Sequence, residues 1–296
     1  MMVLKGRLGL ETARIPHTDR HGLMWLERGK LIVEDGNIVF TTAGSPYLEA
    51  GAYDIPFQQI SCVLLGPGGV VSHDALRLLA HHGTGLIAVG SGGVRIYAES
   101  IPYGRDRSKL ARRQTRLWSD EDTRVAVARK MYAIRLGEAL PQRDLNALRG
   151  IEGKRVKETY RRLADQFGVE WNGRRYDRGN PEDTDVINQA INHAATAVYA
   201  AAQIATAAVG AIPQLGFIHE SSARAFALDI ADLFRSDTTL VVAFQAASRC
   251  TDRGDRDVES QTRRLAAKTL RKDDVIPEMI DQIKRVLDVD DHRDNA

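Results

Sequence analysis

The pattern of apolar and polar positions divides the chain into two parts. Over the first hundred residues, short apolar runs alternate with glycine-rich breaks, which is typical of β-strands joined by tight turns. Two of these runs flank an Asp35-Gly36 pair, the signature of a hairpin. Ser72 is placed to cap a short helix that ends before Gly83. The predicted strands cover 31–33, 38–40, 60–65, 86–89 and 94–98, and the predicted helix covers 72–82.

After residue 104 the apolar positions recur with helical spacing instead. The predicted fold class is therefore α+β, with a β-rich domain over 1–100, an all-helical domain over 105–287 and a polar tail over 288–296. The predicted helices are 108–117, 122–136, 153–167, 185–211, 222–234, 239–249, 258–270 and 277–287.

The net charge of the whole chain, +2, indicates no particular class of partner, so only local clusters of charge are informative. Basic residues cluster in 105–116, 149–162 and 263–272. Such clusters attract phosphates, although each could also be a solvated helix face. The two cysteines fit no paired motif, which predicts reduced thiols in a cytoplasmic protein. The alanine-rich stretch 194–212 contains Gln and Thr, so we expect a tightly packed helix and no membrane span.

Candidate chemistry begins with Asp229 and Asp232, which lie three apart in an apolar helical pattern and so share one helix face. Two neighbouring carboxylates repel each other and lose solvation when buried. A divalent cation with His219 as a further ligand would offset this charge. Glu152, between two glycines at a predicted helix start and among basic residues, is the best additional ligand.

Other interpretations of these residues remain open. His219 could cap a helix or lie in the core, the aspartates could pair with Arg224 or Arg235, and Glu152 could be an ordinary acid of a first helical turn. Two functions other than metal-dependent catalysis on DNA are also open: a non-catalytic DNA-binding scaffold, and a metal-dependent hydrolase of small phosphoesters. Basic clusters spread over three segments argue against a small substrate.

Four segments together resemble a known family: LRGIEGKRVKETY, WNGRRYD, INQAINHAATAVY and GFIHESSARAFALDIADLFR. They closely resemble CRISPR-associated protein one, the spacer-acquisition integrase, in its type I-E subtype. The resemblance runs from LGPGGVVSHDALRLL to about residue 270. It implies an N-terminal β-sandwich-like domain, used for dimerisation and DNA contact, and a larger helical catalytic domain.

The resemblance also implies an activity and a site. The activity is insertion of protospacer DNA into a CRISPR array by 3′-hydroxyl transesterification, with endonuclease activity at the same centre, in antiviral defence. The implied partners are double-stranded DNA, a second copy of the chain and CRISPR-associated protein two. The implied site residues are Glu152, His219 and Asp232 as ligands of Mg²⁺ or Mn²⁺, Asp229 as an additional catalytic acid, and Arg77, Arg95, Arg174 and Tyr176 as DNA contacts.

Overall fold

The computed structural model describes residues 22–45, 48–100, 108–139, 141, 144–175, 184–253 and 257–288. Within these ranges the chain forms two compact units. The first takes residues 22–88 and 98–100, and the second takes residues 89–97 and the helices from residue 108 onward. The predicted α+β class is confirmed, with sheets in the N-terminal part and helices in the C-terminal part.

The strands build two four-stranded sheets. One sheet has the order β1-β5-β7-β8, with β5 parallel to both of its neighbours. The other has the order β4-β3-β2-β6, in which β3 is antiparallel to both neighbours and β6 runs parallel to β2. The elements are β1 (Leu23–Leu26), β2 (Gly29–Glu34), β3 (Asn37–Thr42), β4 (Gly51–Asp54), β5 (Cys62–Leu65), β6 (Val70–Val71), helix α1 (His73–His82), β7 (Gly85–Val89) and β8 (Ile96–Glu99).

Both sheets contribute to one hydrophobic core, which gives the first unit its sandwich-like character. Val63 of β5 comes from one sheet, and Leu31 and Phe40 come from the other. Ala75 and Leu79 place one face of α1 against the same cluster. Burying these side chains together removes apolar surface from water, which is the main force holding the two sheets together.

Two local predictions in this unit are confirmed. Asp35 and Gly36 have φ values of 49° and 81°, the conformation that a two-residue hairpin turn between β2 and β3 requires. Ser72 caps α1 by accepting the N–H of Ala75 at 3.2 Å, and Gly83 ends the helix with φ 68°. Both features depend only on neighbouring residues.

In the second unit a long helix, α5, lies at the centre and packs against the four helices that follow it. Most of its alanines are buried, and their small side chains let neighbouring helices approach closely. No helix in the described ranges is long and apolar enough to cross a bilayer. The helices are α2 (Ser108–Ser119), α3 (Glu121–Leu136), α4 (Leu145–Phe167), α5 (Val186–Val209), α6 (Ala225–Leu233), α7 (Leu240–Arg253), α8 (Val258–Lys272) and α9 (Val275–Val286), with a π-helical turn, Arg235–Thr239, between α6 and α7.

Helix α4 begins two turns earlier than the sequence suggested, so the predicted start at residue 153 is wrong. Asp144 caps the helix by accepting the N–H of Asn146 at 2.9 Å. Gly150 and Gly153 lie inside the helix, in positions where a Cβ atom would meet nothing within 4 Å. Glu152 is therefore an interior helical residue, and its interpretation as a first-turn acid fails.

The segment 89–97 groups with the helices, whereas the sequence assigned it to the N-terminal domain. Gly92 adopts φ 67° and lies so close to Ala267 of α8 that a larger side chain would clash. Arg95 forms an ion pair with Glu259 of the same helix at 3.0 Å. Backbone proximity and charge thus attach this turn to α8.

Candidate metal centre

The loop between α5 and α6 carries His219 and is held from one side by α2. Gln114 on α2 is fully buried. Its side chain accepts the N–H of Ile212 at 2.8 Å and donates to the carbonyls of Ile212 and Leu215, both at 2.9 Å. The indole of Trp118, one turn later, donates to the carbonyl of Gly216 at 2.9 Å. These bonds give backbone groups of a partly buried loop side-chain partners and tie the loop to α2.

Asp229 on α6 holds the same loop from the other side. Its carboxylate is fully buried and accepts three consecutive backbone N–H groups, from Phe217 at 2.6 Å, Ile218 at 3.1 Å and His219 at 3.0 Å. It also bonds to the Nδ1 atom of the His219 ring at 2.7 Å. Four hydrogen bonds compensate the burial of this charge, so Asp229 fixes both the loop and the imidazole.

His219 presents its other ring nitrogen to Asp232. Because an ionised carboxylate only accepts, Nδ1–H donates to Asp229 and the neutral ring keeps its lone pair on Nε2. Nε2 lies 3.9 Å from Oδ2 of Asp232. The hydrogen bond to Asp229 is the main reason that the pKa of His219 lies above its usual value. A carboxylate behind the imidazole is also the usual arrangement of a metal-binding histidine.

Glu152 and Asp232 share a cation that the sequence did not reveal, Arg135 in the last turn of α3. Its Nη2 atom donates to Oε1 of Glu152 on α4 and to Oδ2 of Asp232 on α6, the latter at 3.2 Å. The Arg135 side chain is only 6% exposed. The other carboxylate oxygen of Asp232, Oδ1, lies 3.6 Å from Nη1 of Arg235, at the start of the π-helical turn.

The electrostatics of the cluster favour a further positive charge. Burial, and then the charge of Asp232, raise the pKa of Glu152, while Arg135 acts in the opposite direction. Burial and the nearby Glu152 also raise the pKa of Tyr132. Carboxylates concentrated in a poorly solvated place are stabilised by a cation.

The donor set fits a divalent metal ion by its chemistry. Glu152, the Nε2 atom of His219 and Asp232 come from α4, the loop and α6, and they offer one imidazole nitrogen and two carboxylates, a set that Mn²⁺ and Mg²⁺ accept. As the side chains stand, no three His, Cys, Asp or Glu residues of the described chain form a ready metal cluster. The guanidinium of Arg135 contacts both Glu152 and Asp232, so a positive charge already lies beside these two carboxylates.

The predicted DNA contacts make polar contacts of their own. Arg77 is exposed beside Asp74, at 3.5 Å, and Arg95 pairs with Glu259. Arg174 donates to the Oδ1 atoms of Asn188 and Asn192, on the first turns of α5, at 2.9 and 2.6 Å. Tyr176 lies outside the described residues.

Sequence reasoning missed Arg135, although one signal was available. It follows Met131 by four residues and Tyr132 by three, and both are fully buried, so a charge lies on the apolar side of α3. A cation in such a place needs a partner. Its partners Glu152 and Asp232 are 17 and 97 residues away along the chain, so the sequence could not name them.

Comparison with known proteins identifies the family. The family model described as "CRISPR associated protein Cas1" matches residues 132–273, a span that contains all of Arg135, Glu152, His219, Asp229 and Asp232. The CRISPR-associated endonuclease Cas1 of Escherichia coli K12 is 41% identical over 261 residues, which cover 87% of this chain and 84% of that protein. The chain belongs to the Cas1 family. The resemblance stated from its four sequence segments is thereby confirmed.

Two further relatives agree with this assignment. The CRISPR-associated endonuclease Cas1 of Geobacter sulfurreducens is 37% identical over 276 residues, covering 92% of this chain and 86% of that protein. The crystal structure of a TtCas1–DNA complex superimposes with a TM-score of 0.81 at 30% identity, covering 91% of this chain and 97% of that chain. The chain is therefore similar to Cas1 proteins in both sequence and architecture.

Proposed function

We propose that this protein is a divalent-metal-dependent DNA endonuclease and integrase that inserts protospacer DNA into a CRISPR array. The observation that carries the proposal is the convergence of Glu152, His219 and Asp232 from three separate elements, with the imidazole oriented by a buried carboxylate. The Cas1 relatives are named endonucleases, and a TtCas1 structure contains DNA, which supports a nucleic-acid substrate.

Glu152, His219 and Asp232 would hold Mg²⁺ or Mn²⁺, with the imidazole favouring Mn²⁺ slightly. The bound ion would polarise a phosphodiester and stabilise the negative charge that develops on its oxygens. Asp229 keeps Nδ1 of His219 occupied, so that Nε2 is the nitrogen available to the site. Arg235, beside Asp232, adds positive charge where a phosphate would approach.

The proposed reaction is a transesterification. The 3′-hydroxyl of a short duplex attacks a phosphodiester at the repeat boundary, forming one P–O bond while another breaks and leaves a new 3′-hydroxyl on the cut strand. The number of phosphodiester bonds is unchanged, so no energy-supplying cofactor is needed. With water as the nucleophile, the same site would hydrolyse DNA, which accounts for endonuclease activity.

Exposed basic helix faces would hold the DNA backbone. Lys154, Lys157 and Arg161 are exposed on α4, and Arg263 and Arg264 are exposed on α8. Such contacts position a duplex without reading its bases. The partners proposed are double-stranded DNA, a second copy of the chain and CRISPR-associated protein two, acting in the cytoplasm. Arg77, Arg95, Arg174 and Tyr176 would guide the DNA ends.

An integration assay with purified protein tests the proposal. The reaction contains the partner protein, a protospacer duplex, a supercoiled plasmid with the repeat, and Mn²⁺ or Mg²⁺. We expect Glu152→Ala and His219→Ala to reduce integration by at least about a hundredfold, because each removes a metal ligand. The control is Glu158→Ala, which removes an exposed carboxylate from the same helix.

DNA affinity, measured on the same preparations, separates the alternatives. If Glu152→Ala binds the duplex like the parent but does not integrate it, the residue acts in catalysis. If the parent binds DNA but neither integrates nor cuts it under any metal condition, the protein is a scaffold. If Glu152→Ala integrates as well as the parent, the proposed site is wrong.

A further inference from the structure

The candidate centre contains a cation of the protein itself, Arg135, which contacts two of the proposed metal ligands. The Nη2 atom of Arg135 bridges Glu152 and Asp232, two carboxylates from different helices. We infer that Arg135 is an internal counter-cation, which holds these carboxylates together before the metal binds and yields its position when the metal arrives. The inference rests on the proposed metal-dependent function and adds a competition that sets how tightly the metal is held.

The position of Arg135 suits this role. It lies in the last turn of α3, where a positive charge is favoured by the helix dipole. Its guanidinium carbon lies 5.6 Å from the centroid of the Tyr132 ring, a distance typical of a cation–π contact. With 6% of the side chain exposed, the guanidinium is held between an aromatic ring and the carboxylates, away from solvent.

Without this guanidinium, the carboxylates would keep Arg235, whose charge acts on Glu152 less strongly than that of Arg135. The Glu152 and Asp232 side chains are only 15% and 23% exposed, so water cannot screen their repulsion well. Within the described residues, the second arginine of the cluster, Arg235, forms its ion pair with Asp232, at 3.6 Å. Arg135 is the cation that joins the two acids, which is the task assigned to the metal in the proposed function.

The metal and Arg135 would compete for the same oxygen atom. Oδ2 of Asp232 accepts from Nη2 of Arg135 at 3.2 Å, and it is also the oxygen that faces Nε2 of His219 at 3.9 Å. His219 and Asp232 would both hold the ion, so the charge of Arg135 would compete with it at Asp232. The positive charge of such an ion would repel the guanidinium and draw electron density from Oδ2, so metal binding would weaken this charge-assisted hydrogen bond.

The test compares Arg135→Gln with the parent and with Arg155→Gln. Arg155 supplies the matched control because it pairs with Glu138 on the surface and bonds to the carbonyl of Leu136. In EDTA we expect Arg135→Gln to lower the Tm by several degrees, because the carboxylates lose their shared cation, whereas Arg155→Gln leaves it nearly unchanged. Saturating Mn²⁺ should restore most of the difference.

Isothermal titration with Mn²⁺ alone measures the competition directly. Arg135→Gln should bind Mn²⁺ about tenfold more tightly than the parent, because no charged hydrogen bond has to be broken first. Glu152→Gln first shows that Mn²⁺ binds at this site, because it should abolish binding. If it does, and Arg135→Gln binds Mn²⁺ no more tightly than the parent, the inference is overturned while the proposed function stays intact. A parent that binds no Mn²⁺ would overturn the metal-dependent function itself.

The double variant Arg135→Gln/Glu152→Gln covers the case in which Arg135→Gln alone does not fold in EDTA. Removing one carboxylate together with the cation relieves the repulsion, so the double variant should regain the Tm of the parent. Recovery would support the counter-cation role. A double variant that also fails to fold in EDTA would contradict it.

Discussion

At the scale of single residues, two aspartates three positions apart have different roles. Asp229 is fully buried, and its oxygens accept three backbone N–H groups and one ring N–H. Asp232 is partly exposed and faces Arg135, Arg235 and the free side of His219. The sequence placed both acids on one helix face, but only the structure separates an anchoring carboxylate from one that is available to a ligand.

This difference predicts that replacing Asp by Asn affects mainly stability at position 229 and mainly activity at position 232. Asp229→Asn puts an NH₂ group where an oxygen accepts backbone N–H donors, and should lower the free energy of unfolding by on the order of 3 kcal/mol. Asp232→Asn should lower it less, because the loss of one negative charge also relieves the repulsion between Asp232 and Glu152, while integration is abolished. Urea unfolding of both variants provides the measurement. Equal decreases in stability would contradict the assignment.

The raised pKa of His219 predicts how metal binding depends on pH. Its hydrogen bond to Asp229 favours the protonated ring in the folded state. This contribution to stability is complete below the unfolded pKa, about 6.5, and is lost as pH rises through the higher folded pKa. Metal binding instead requires the neutral ring.

Mn²⁺ affinity should therefore increase as pH rises from about 6.5 through the folded pKa of His219. Titration calorimetry at a series of pH values measures the affinity, and the imidazole resonance, assigned with His219→Gln, reports the pKa. An affinity that is flat over the range in which this resonance titrates would exclude His219 as a ligand.

At the scale of elements, the candidate centre depends on a loop that two helices hold in place. Gln114 on α2 bonds to the loop backbone three times, and Asp229 on α6 bonds to it from the opposite side. Gly216 packs so closely that an added Cβ atom would lie 2.7 Å from the Cβ of Ala225. The position of His219 is therefore set by residues outside the proposed set of metal ligands.

Gln114→Leu tests this dependence. It replaces the amide with an apolar side chain of similar size and removes three hydrogen bonds to the backbone of Ile212 and Leu215, which should cost about 1–3 kcal/mol of stability. Integration should fall in the folded protein because the loop that carries His219 is then held from the side of Asp229 alone. The control is Thr115→Ala, since within the described residues that hydroxyl bonds to the carbonyl of Ala111 in its own helix. Full activity in Gln114→Leu would contradict the positioning role.

Elements with local signals could be predicted from the sequence, whereas elements defined by distant partners could not. The Asp35-Gly36 turn and the capped helix α1 depend on adjacent residues and were predicted correctly. Strand β1 was missed because it is short and pairs in parallel with β5, far along the chain. The start of α4 was missed because Gly150 and Gly153 resemble helix breaks, although both lie on an open side of the helix.

At the scale of the whole molecule, charge is distributed over helix faces while the net charge stays near zero. The chain carries a net charge of +2, yet α2, α4 and α8 each expose basic side chains. Side chains of this kind would neutralise phosphates and release counterions from DNA. Their effect on affinity should therefore depend on salt and not on the base sequence.

Replacing Lys154, Lys157 and Arg161 together by Gln tests the face of α4. The slope of log K against log salt should become shallower by about 0.9 for each phosphate that is no longer neutralised, and affinity should fall equally for two unrelated duplex sequences. Fluorescence anisotropy over a series of salt concentrations measures both effects, with Glu158→Gln as the control on the same helix. An unchanged slope would exclude this face from DNA binding.

The proposed function depends above all on a divalent metal ion held by Glu152, His219 and Asp232. The most direct test is a crystal of the full chain soaked in Mn²⁺, measured near the manganese absorption edge. We expect one anomalous peak within coordination distance of all three side chains, with Arg135 displaced from Oδ2 of Asp232. A peak elsewhere, or no peak at saturating Mn²⁺ with Arg135 still bridging Glu152 and Asp232, would contradict this assignment.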